Sequence, residues 1–253
     1  MRIKFTISLV AFVILNLHSH ANASSLIVPG TGDGVAVLSA VAAEFKQTAG
    51  IEVEIPKSVG SSGGIVMAGS DQAELARVAR NIKEKEKHFN LSYKPVFKVP
   101  TVFYVSPDLA VNNLSEEQIL AIISGKISNW SVVGGPNEEI KVFVREAGDS
   151  SFNNLKKTFS GFGEISFTPK SITALKTPQM VAFLKHEKNA IGFGPLDVAL
   201  ANGLKYLNVE GVTPKDASYK YFGTIGLVYK DQNLSEAAKK FMDYIFSASA
   251  DDT

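Results

Sequence analysis

Most of this chain alternates between two hydrophobic periods, and that alternation constrains its fold more than any other feature. Short β-branched or alternating apolar segments predict strands, and apolar residues spaced three and four apart predict helices. The predicted strands are 25–28, 51–55, 99–105, 140–144, 190–193 and 224–229, with a further short apolar segment at 71–79. The predicted helices are 35–46, 65–76, 115–124, 150–159, 177–185 and 235–246. This order is typical of an α/β fold with parallel strands and crossover helices.

Two of the early strand–helix junctions are rich in glycine and carry polar side chains. The first junction, Pro-Gly-Thr-Gly-Asp-Gly at 29–34, contains Thr31, Gly32 and Asp33. The second, Ser-Val-Gly-Ser-Ser-Gly-Gly-Ile at 58–65, contains Ser61 and Ser62. Glycine allows close approach of the backbone to a ligand, and the free N–H groups of a helix N-terminus favour an anion.

A third junction, at 144–152, repeats this chemistry and adds a fixed positive charge. Arg145 follows the predicted strand, Asp149 is the expected helix N-cap, and Ser150 and Ser151 fall in the first turn. The planar guanidinium of Arg145 offers donors suited to an oxyanion. If the three junctions converge, they surround a small tetrahedral anion with N–H and O–H donors.

The second junction also matches the Gly-x-Ser-x-Gly pattern of a hydrolase nucleophile elbow, with Ser62 at its centre. Such an enzyme needs a histidine base within reach of the serine. After the first 23 residues the chain has only His88 and His186, and both lie in charged runs. The sequence therefore favours anion binding over a serine hydrolase that uses Ser62.

Residues 1–23 have the features of a secretory signal peptide. Arg2 and Lys4 precede an apolar run at 7–17, and Ala-Asn-Ala at 21–23 is a typical cleavage site. Removing them takes away two of the 26 basic residues and none of the 25 acidic ones, which leaves a formal charge of −1. This balance excludes nucleic acid as an expected partner. Since the chain has no cysteine, neither disulfides nor thiolate metal sites can form, and we expect no cofactor.

Several motifs resemble those of the substrate-binding proteins of bacterial ABC phosphate importers. Gly-Ser-Ser-Gly-Gly at 60–64 resembles a phosphate loop of that family, and Arg-Glu-Ala-Gly-Asp-Ser-Ser at 145–151 resembles its R-x-x-G-S-G-T loop. Leu-Ser-Glu-Glu-Gln-Ile-Leu at 114–120, with the segments 124–130 and 133–135, is similar to the family's L-x-x-E-Q-L, G-K-I-x-N-W and V-G-G series. Ala-Ile-Gly-Phe at 190–193 resembles its A-I-G-Y strand.

The resemblance implies an α/β periplasmic-binding-protein clamshell of type II, with two lobes joined by two hinge-crossing strands. Lobe 1 would comprise residues 24–100 and 210–253, and lobe 2 residues 101–209. The hinge would lie near 99–105 and again between 209 and 229. It also implies that the protein is exported to the periplasm, binds inorganic phosphate or a related oxyanion as a monomer, and delivers it to an ABC permease. A stand-alone anion sensor or scavenger of the same fold is the alternative.

Carried over by position, the resemblance implies anion contacts from Gly32, Asp33, Ser61, Arg145, Asp149, Ser150 and Ser151. Asp33 or Asp149 would accept the proton of monohydrogen phosphate and repel sulfate, with Arg80 balancing the added negative charge. The alternative is that Asp149 only caps its helix and that Arg80 forms a salt bridge outside the cleft. Thr31 and Ser62 complete the set of expected ligand-binding residues.

Overall fold

The computed structural model describes residues 25–250, with side chains described for 25–247. In chain order the strands are β1 (Leu26–Ile27), β2 (Val53–Glu54), β3 (Leu75–Val78), β4 (Ser92–Val105), β5 (Asn113–Leu114), β6 (Lys141–Arg145), β7 (Ile172–Ala174), β8 (Ala190–Pro195), β9 (Lys205–Tyr206), β10 (Asn208–Val209) and β11 (Phe222–Tyr229). The α-helices are α1 (Val35–Ala49), α2 (Gly60–Gly69), α3 (Glu116–Ser124), α4 (Ser150–Thr158), α5 (Thr177–His186), α6 (Leu196–Asn202) and α7 (Glu236–Ala250). Short 3-10 helices occur at Glu84–Phe89, Trp130–Val133 and Asp231–Asn233.

The long strand β4 belongs to two groups of strands. Its first part pairs antiparallel with β11, and β11 in turn pairs with β3. Its second part, from Thr101 to Val105, pairs antiparallel with β8. The main sheet therefore has the order β3-β11-β4-β8-β6-β7, with β9 added on β4. The strands β6, β7 and β8 are mutually parallel, as the alternating pattern predicted.

The apolar interior is divided at the same point along β4. Val99 packs in a core with Leu38 of α1 and Phe241 of α7. Val102 packs in a separate core with Trp130 and residues of β6 and β8. On the return of the chain, Ile225 of β11 belongs to the first core. The molecule is thus a mixed α/β protein of two lobes, and the lobe boundaries and hinge given above stay predictions.

Helix α3 shows how closely local sequence signals match this structure. The Ser115 hydroxyl accepts a hydrogen bond from the Gln118 N–H at 3.1 Å, and the Gln118 side chain accepts one from the Ser115 N–H at 2.9 Å. Gly125 ends the helix in the left-handed conformation, with φ 82°. The predicted start, cap and end of this helix are confirmed.

The prediction of a helix over 65–76 was wrong in its bounds. Helix α2 begins at Gly60 and ends at Gly69, and residues 75–78 form the buried strand β3. Glycines 60, 63 and 64 have poor helix propensity, so the helix start was not visible in the local sequence. Tertiary packing overrides that propensity, because Ile65 and Ala68 are buried on this helix. The short elements β5, β7, β9, β10 and α6 were also not predicted.

No helix in the described part of the chain has both the length and the apolar character needed to cross a membrane.

Candidate functional site

A cavity of about 370 Å³ lies between the two lobes. In the described chain it is bordered by the residues that lead into or begin α1, α2, α4 and α5, so the N-termini of four helices face it. Its lining consists of Thr31, Gly32, Asp33, Ser58, Val59, Gly60, Ser61, Arg145, Glu146, Gly148, Asp149, Ser150, Leu175, Lys176 and Thr177. The three junctions singled out in the sequence therefore do converge. A fourth junction, before α5, joins them.

Glycines allow the first two junctions to pack against each other without side chains between them. Gly30 has φ 143° and forms a parallel bridge with Arg77 of β3. A Cβ atom on Gly30 would lie 1.9 Å from the Arg77 carbonyl oxygen, and one on Gly64 would lie 2.9 Å from the Gly30 Cα. No larger residue fits at either position. The first turn of α2 is thereby held directly against the first junction.

The buried side chain of Arg77 holds the first junction in place through hydrogen bonds to backbone carbonyl oxygens. Its Nε donates to the Thr31 carbonyl oxygen at 2.7 Å, and its two Nη atoms donate to the carbonyl oxygens of Pro56 and Val28. Burial lowers the pKa of this arginine to about 10. The sequence did not predict the role of Arg77, because the fully buried strand Leu75–Val78 that contains it was visible only as a short apolar segment.

Three hydroxyl groups meet across the cleft. The Ser150 Oγ of lobe 2 lies 3.4 Å from both Thr31 Oγ1 and Ser61 Oγ of lobe 1. Ser61 Oγ also accepts from the Ala79 N–H at 3.1 Å, and Thr31 Oγ1 accepts from the Asp33 N–H at 3.3 Å. These hydroxyls belong to different lobes, so the structure represents a closed cleft.

Arg145 lies at the end of β6 with most of its donors already bonded. Its Nη2 pairs with Asp149 at 2.8 Å, and both Nε and Nη2 contact the Glu146 carboxylate, at 3.1 and 3.3 Å. Nε also donates to the Ala174 carbonyl, and Nη1 donates to Thr177 Oγ1, each at 3.2 Å. Of its five N–H bonds, one on Nη1 remains for a ligand, and displacement of Glu146 would release another on Nη2.

Asp149 caps α4, as the sequence predicted, and it also pairs with Arg145. One carboxylate oxygen accepts from the Phe152 N–H at 2.9 Å, and the other pairs with Arg145. Burial raises the pKa of Asp149, and the charge of Arg145 opposes that rise. Because both oxygens have partners, this carboxylate has little capacity left to accept a proton from a ligand.

Asp33 lines the cavity, and its carboxylate has no side-chain hydrogen-bond partner among the described residues. Burial is the largest cause that raises the pKa of Asp33 well above its usual value. The negative charges of Asp149 and Asp197 raise this pKa further, and Arg145 lowers it. Asp33 is consequently the better candidate of the two for exchanging a proton with an anion.

Ser62, Arg80 and Ser151 do not line the cavity. Both Nη atoms of Arg80 bond the Glu86 carboxylate at 2.7 Å, and Nη2 donates to Ser62 Oγ at 2.8 Å. The Arg80 hydrogen bonds are the main cause that lowers the pKa of Glu86. Ser151 is buried, and its hydroxyl has no partner among the described residues. Participation of these three residues in binding stays a prediction.

The site also contains polar residues that sequence reasoning missed. Ser58 lies in the second junction, Glu146 is adjacent to Arg145, and Lys176 and Thr177 begin α5. The signal for the α5 residues was weak, since the junction between β7 and α5 contains no glycine. Glu146 was visible in the sequence as a second acidic residue beside Arg145.

Ser62 is not arranged as a catalytic nucleophile. Its hydroxyl is bonded to Arg80, which cannot serve as a general base at neutral pH. His88 lies on the 3-10 helix at 84–89, with Nδ1 2.9 Å from the Lys85 carbonyl oxygen, and His186 borders a different cavity, at the end of α5. Among the described residues no cluster of histidine, aspartate and glutamate side chains could hold a metal ion.

Two lobes that close over a cavity lined by helix N-termini define a binding protein of the periplasmic-binding-protein class. A family model described as the PBP superfamily domain matches residues 18–249. The chain belongs to this superfamily.

The relatives with similar sequences are phosphate-binding proteins. The chain is 26% identical over 164 residues to the phosphate-binding protein PstS of Borreliella burgdorferi. The aligned segment covers 60% of this chain and 59% of the relative. It is 26% identical over 148 residues to PstS of Bacillus subtilis, with coverage of 56% and 48%. The matched segment thus spans about half to three fifths of these curated relatives.

The solved structures give a match over nearly the full chain. A proposed substrate-binding protein of a phosphate ABC transporter from Clostridium perfringens, with phosphate bound, is 26% identical with a TM-score of 0.74. The alignment covers 87% of this chain and 92% of that one. An ABC-type phosphate transport receptor from Vibrio cholerae, 22% identical with a TM-score of 0.61, shares the fold over 90% of this chain and 96% of its own.

Proposed function

We propose that this protein is an exported binding protein that captures inorganic phosphate between its lobes and delivers it to an ABC importer. The observation that carries the proposal is the convergence of four helix N-termini with the hydroxyls of Thr31, Ser61 and Ser150. Free N–H groups and hydroxyls supply neutral donors, so they can replace the hydration of a small oxyanion from several directions. The similarity to the phosphate-bound C. perfringens protein supports the same ligand.

The acidic residue Asp33 favours phosphate over sulfate. When it is ionised, its carboxylate accepts the proton that monohydrogen phosphate still carries, while sulfate has no proton to donate and is repelled. The sequence offered Asp33 and Asp149 as candidates for accepting this proton. We assign the proton to Asp33, because the oxygens of Asp149 are already bonded to Arg145 and Phe152.

The compartment and the partner follow from the same proposal. The predicted signal peptide at residues 1–23 lies outside the described residues, and it is the sequence feature that supports an exported location. Binding proteins that close on their ligand present different surfaces in the open and closed states, which lets a permease recognise the loaded form. Delivery to a permease predicts that the loaded protein stimulates the ATPase of its importer, whereas a stand-alone sensor or scavenger would not.

Titration calorimetry of the mature protein tests the binding step. Phosphate, sulfate, molybdate and methylphosphonate are compared at pH 8, and we expect phosphate to bind most tightly. Arg145→Gln removes a charged donor from the cavity and should weaken phosphate binding at least tenfold. The exposed Lys188→Gln serves as a control with the same loss of charge. Absence of phosphate binding to the unmodified protein would refute the proposed function.

A further inference from the structure

Asp197, the second residue of α6, carries a buried carboxylate that does not line the cavity described above. It is 8% exposed, and neither carboxylate oxygen makes a regular hydrogen bond to any described residue. Burying an ionisable group without a partner is costly, so its retention calls for a physical explanation.

The surroundings of Asp197 come from both lobes. Its neighbours Leu196 and Ala199 pack in the core of lobe 2. The carboxylate points the other way, toward the first turn of α1 in lobe 1, and a groove lined by Val35, Ala36 and Asp197 marks the contact. Burial raises the pKa of Asp197, and the backbone N–H groups of Ala36 and Gly34, together with those of Val198 and Asp197 in its own helix, oppose that rise. The helices α1 and α6 therefore meet through a charge from one lobe and a helix N-terminus from the other.

Helix α1 has no cap of its own within the described chain. Its N-cap residue is Gly34, which has no side chain, and its first turn has no acidic residue. A negative charge at this end is stabilising, because several backbone N–H groups there have no partner inside the helix. Asp197 supplies that charge from the opposite lobe.

We propose that Asp197 is a positioning residue that holds the two lobes in the closed arrangement by capping α1 across the interface. The contact stabilises the closed state before any anion is bound. A larger closed population then raises the apparent affinity, since only the closed state makes the full set of ligand contacts. This inference rests on the proposed function only where it concerns phosphate, because closure can be measured without ligand.

The experiment measures the distance between the lobes in ligand-free protein by pulsed electron paramagnetic resonance. The chain has no cysteine, so spin labels attach only at the introduced pair Val66→Cys on α2 and Ile172→Cys on β7, both at exposed positions. We expect Asp197→Ala to shift the ligand-free distances to longer values and to weaken phosphate binding about tenfold. Saturating phosphate should restore the closed distance.

Two further variants separate this role from general stability. Asp197→Asn keeps an oxygen that accepts from the α1 N–H groups but loses the charge, so its effect should lie between those of the unmodified protein and the alanine variant. Asp243→Ala removes an exposed carboxylate on α7 and should change neither the distances nor the affinity. An unchanged ligand-free distance distribution in Asp197→Ala would overturn the proposal, even if the variant melts at lower temperature. If the unmodified protein binds no phosphate, the proposed function fails while the distance measurement still decides the role of Asp197.

Discussion

At the scale of single residues, the site combines strong donors with an unusual number of acidic groups. Arg145 and Lys176 face the carboxylates of Asp33, Glu146 and Asp149 in the lining of the same cavity. Net positive charge therefore does not explain the proposed anion binding, to which we expect the neutral N–H and O–H donors to contribute most of the attraction. We expect the acidic residues instead to determine which anion is accepted and how tightly.

Asp33 predicts a pH-dependent selectivity. Below its raised pKa the carboxyl group is neutral and can donate to sulfate, and above that pKa it is ionised and repels sulfate. We expect the sulfate dissociation constant to rise about tenfold per pH unit above the pKa of Asp33, since binding then requires proton uptake. In Asp33→Asn this rise should disappear. Calorimetry with sulfate from pH 5 to 9 measures both, and identical pH profiles in the two proteins would contradict the assignment.

The same raised pKa affects the stability of ligand-free protein. A carboxyl group whose pKa is higher in the folded state than in the unfolded chain contributes most below the unfolded value of about 3.9, and that contribution is lost as pH rises through the folded value. Asp33→Asn has no charge to bury, so its free energy of unfolding should fall less than that of the unmodified protein above pH 4. Urea unfolding at several pH values provides the measurement.

Glu146 predicts a variant that binds more tightly. Its side chain is 33% exposed, and it holds one Nη2 donor of Arg145 that an anion could use and shares the Nε donor with the Ala174 carbonyl. Glu146→Gln removes both the competition and a repulsive charge, and we expect the phosphate dissociation constant to fall about three- to tenfold. Glu164→Gln, an exposed change in the same lobe, is the matched control. Weaker binding by Glu146→Gln would show that Glu146 positions Arg145 rather than competing for it.

At the scale of elements, the site depends on strand ends and helix starts that are held together by the backbone. The first junction pairs with β3 through Gly30 and Arg77, and the start of α2 packs on the same glycine through Gly64. These contacts are independent of any ligand. They orient the α1 and α2 N-termini before binding, which reduces the entropy that the ligand must offset.

We expect substitution of Arg77 to lower the stability of these junctions more than any other single change. Arg77→Met leaves the carbonyl oxygens of Val28, Thr31 and Pro56 without their donor, and each buried unpaired group costs about 1–3 kcal/mol. We expect a loss of about 3 kcal/mol or more in the free energy of unfolding, measured by urea denaturation. Lys85→Met removes an exposed charge and should change the free energy of unfolding by no more than about 0.5 kcal/mol. Equal losses in the two variants would contradict the scaffold role of Arg77.

The sequence predicted some of these elements much better than others. The capping residues of α3, the cap of α4 and the strand 140–144 were correctly placed, because each follows from a few adjacent residues. The start of α2 and the short strands β5, β7, β9 and β10 were not, because contacts between distant segments decide them. The burial of Arg77 belongs to the second group as well.

At the scale of the whole molecule, the two larger apolar cores share the strands β4 and β11, and the cavity proposed as the anion site lies between them. A ligand that contacts both lobes stabilises their closed arrangement and the native state as a whole. The Tyr219 hydroxyl donates to the Thr101 carbonyl oxygen at 2.6 Å and links the segment before β11 to β4. The Asn154 side chain donates to Thr101 Oγ1 at 2.8 Å and links α4 to the same residue.

Ligand binding should be visible as thermal stabilisation. Phosphate at a hundred times its dissociation constant raises the free energy of unfolding by about 2.7 kcal/mol. For a chain of this length, this corresponds to a rise in Tm of roughly 5–10 °C. Scanning calorimetry measures the shift. Sulfate at pH 8 provides the comparison and should give a smaller shift, and equal shifts with both anions would argue against the selectivity assigned to Asp33.

The sequence by itself determined the α/β class, the junctions that carry the donors and seven of the fifteen residues that line the cavity. These features depend on local periodicity, on glycine and on caps, which act over a few residues. Only the tertiary structure decided that Arg80 bonds Glu86 rather than facing the cavity, that Arg77 is buried beneath the first junction, and that Asp197 reaches α1 from the other lobe. The physical reason is that each of these contacts joins distant segments, and packing of the whole chain sets their relative position. The sequence around a charged residue does not show which residue will be its partner.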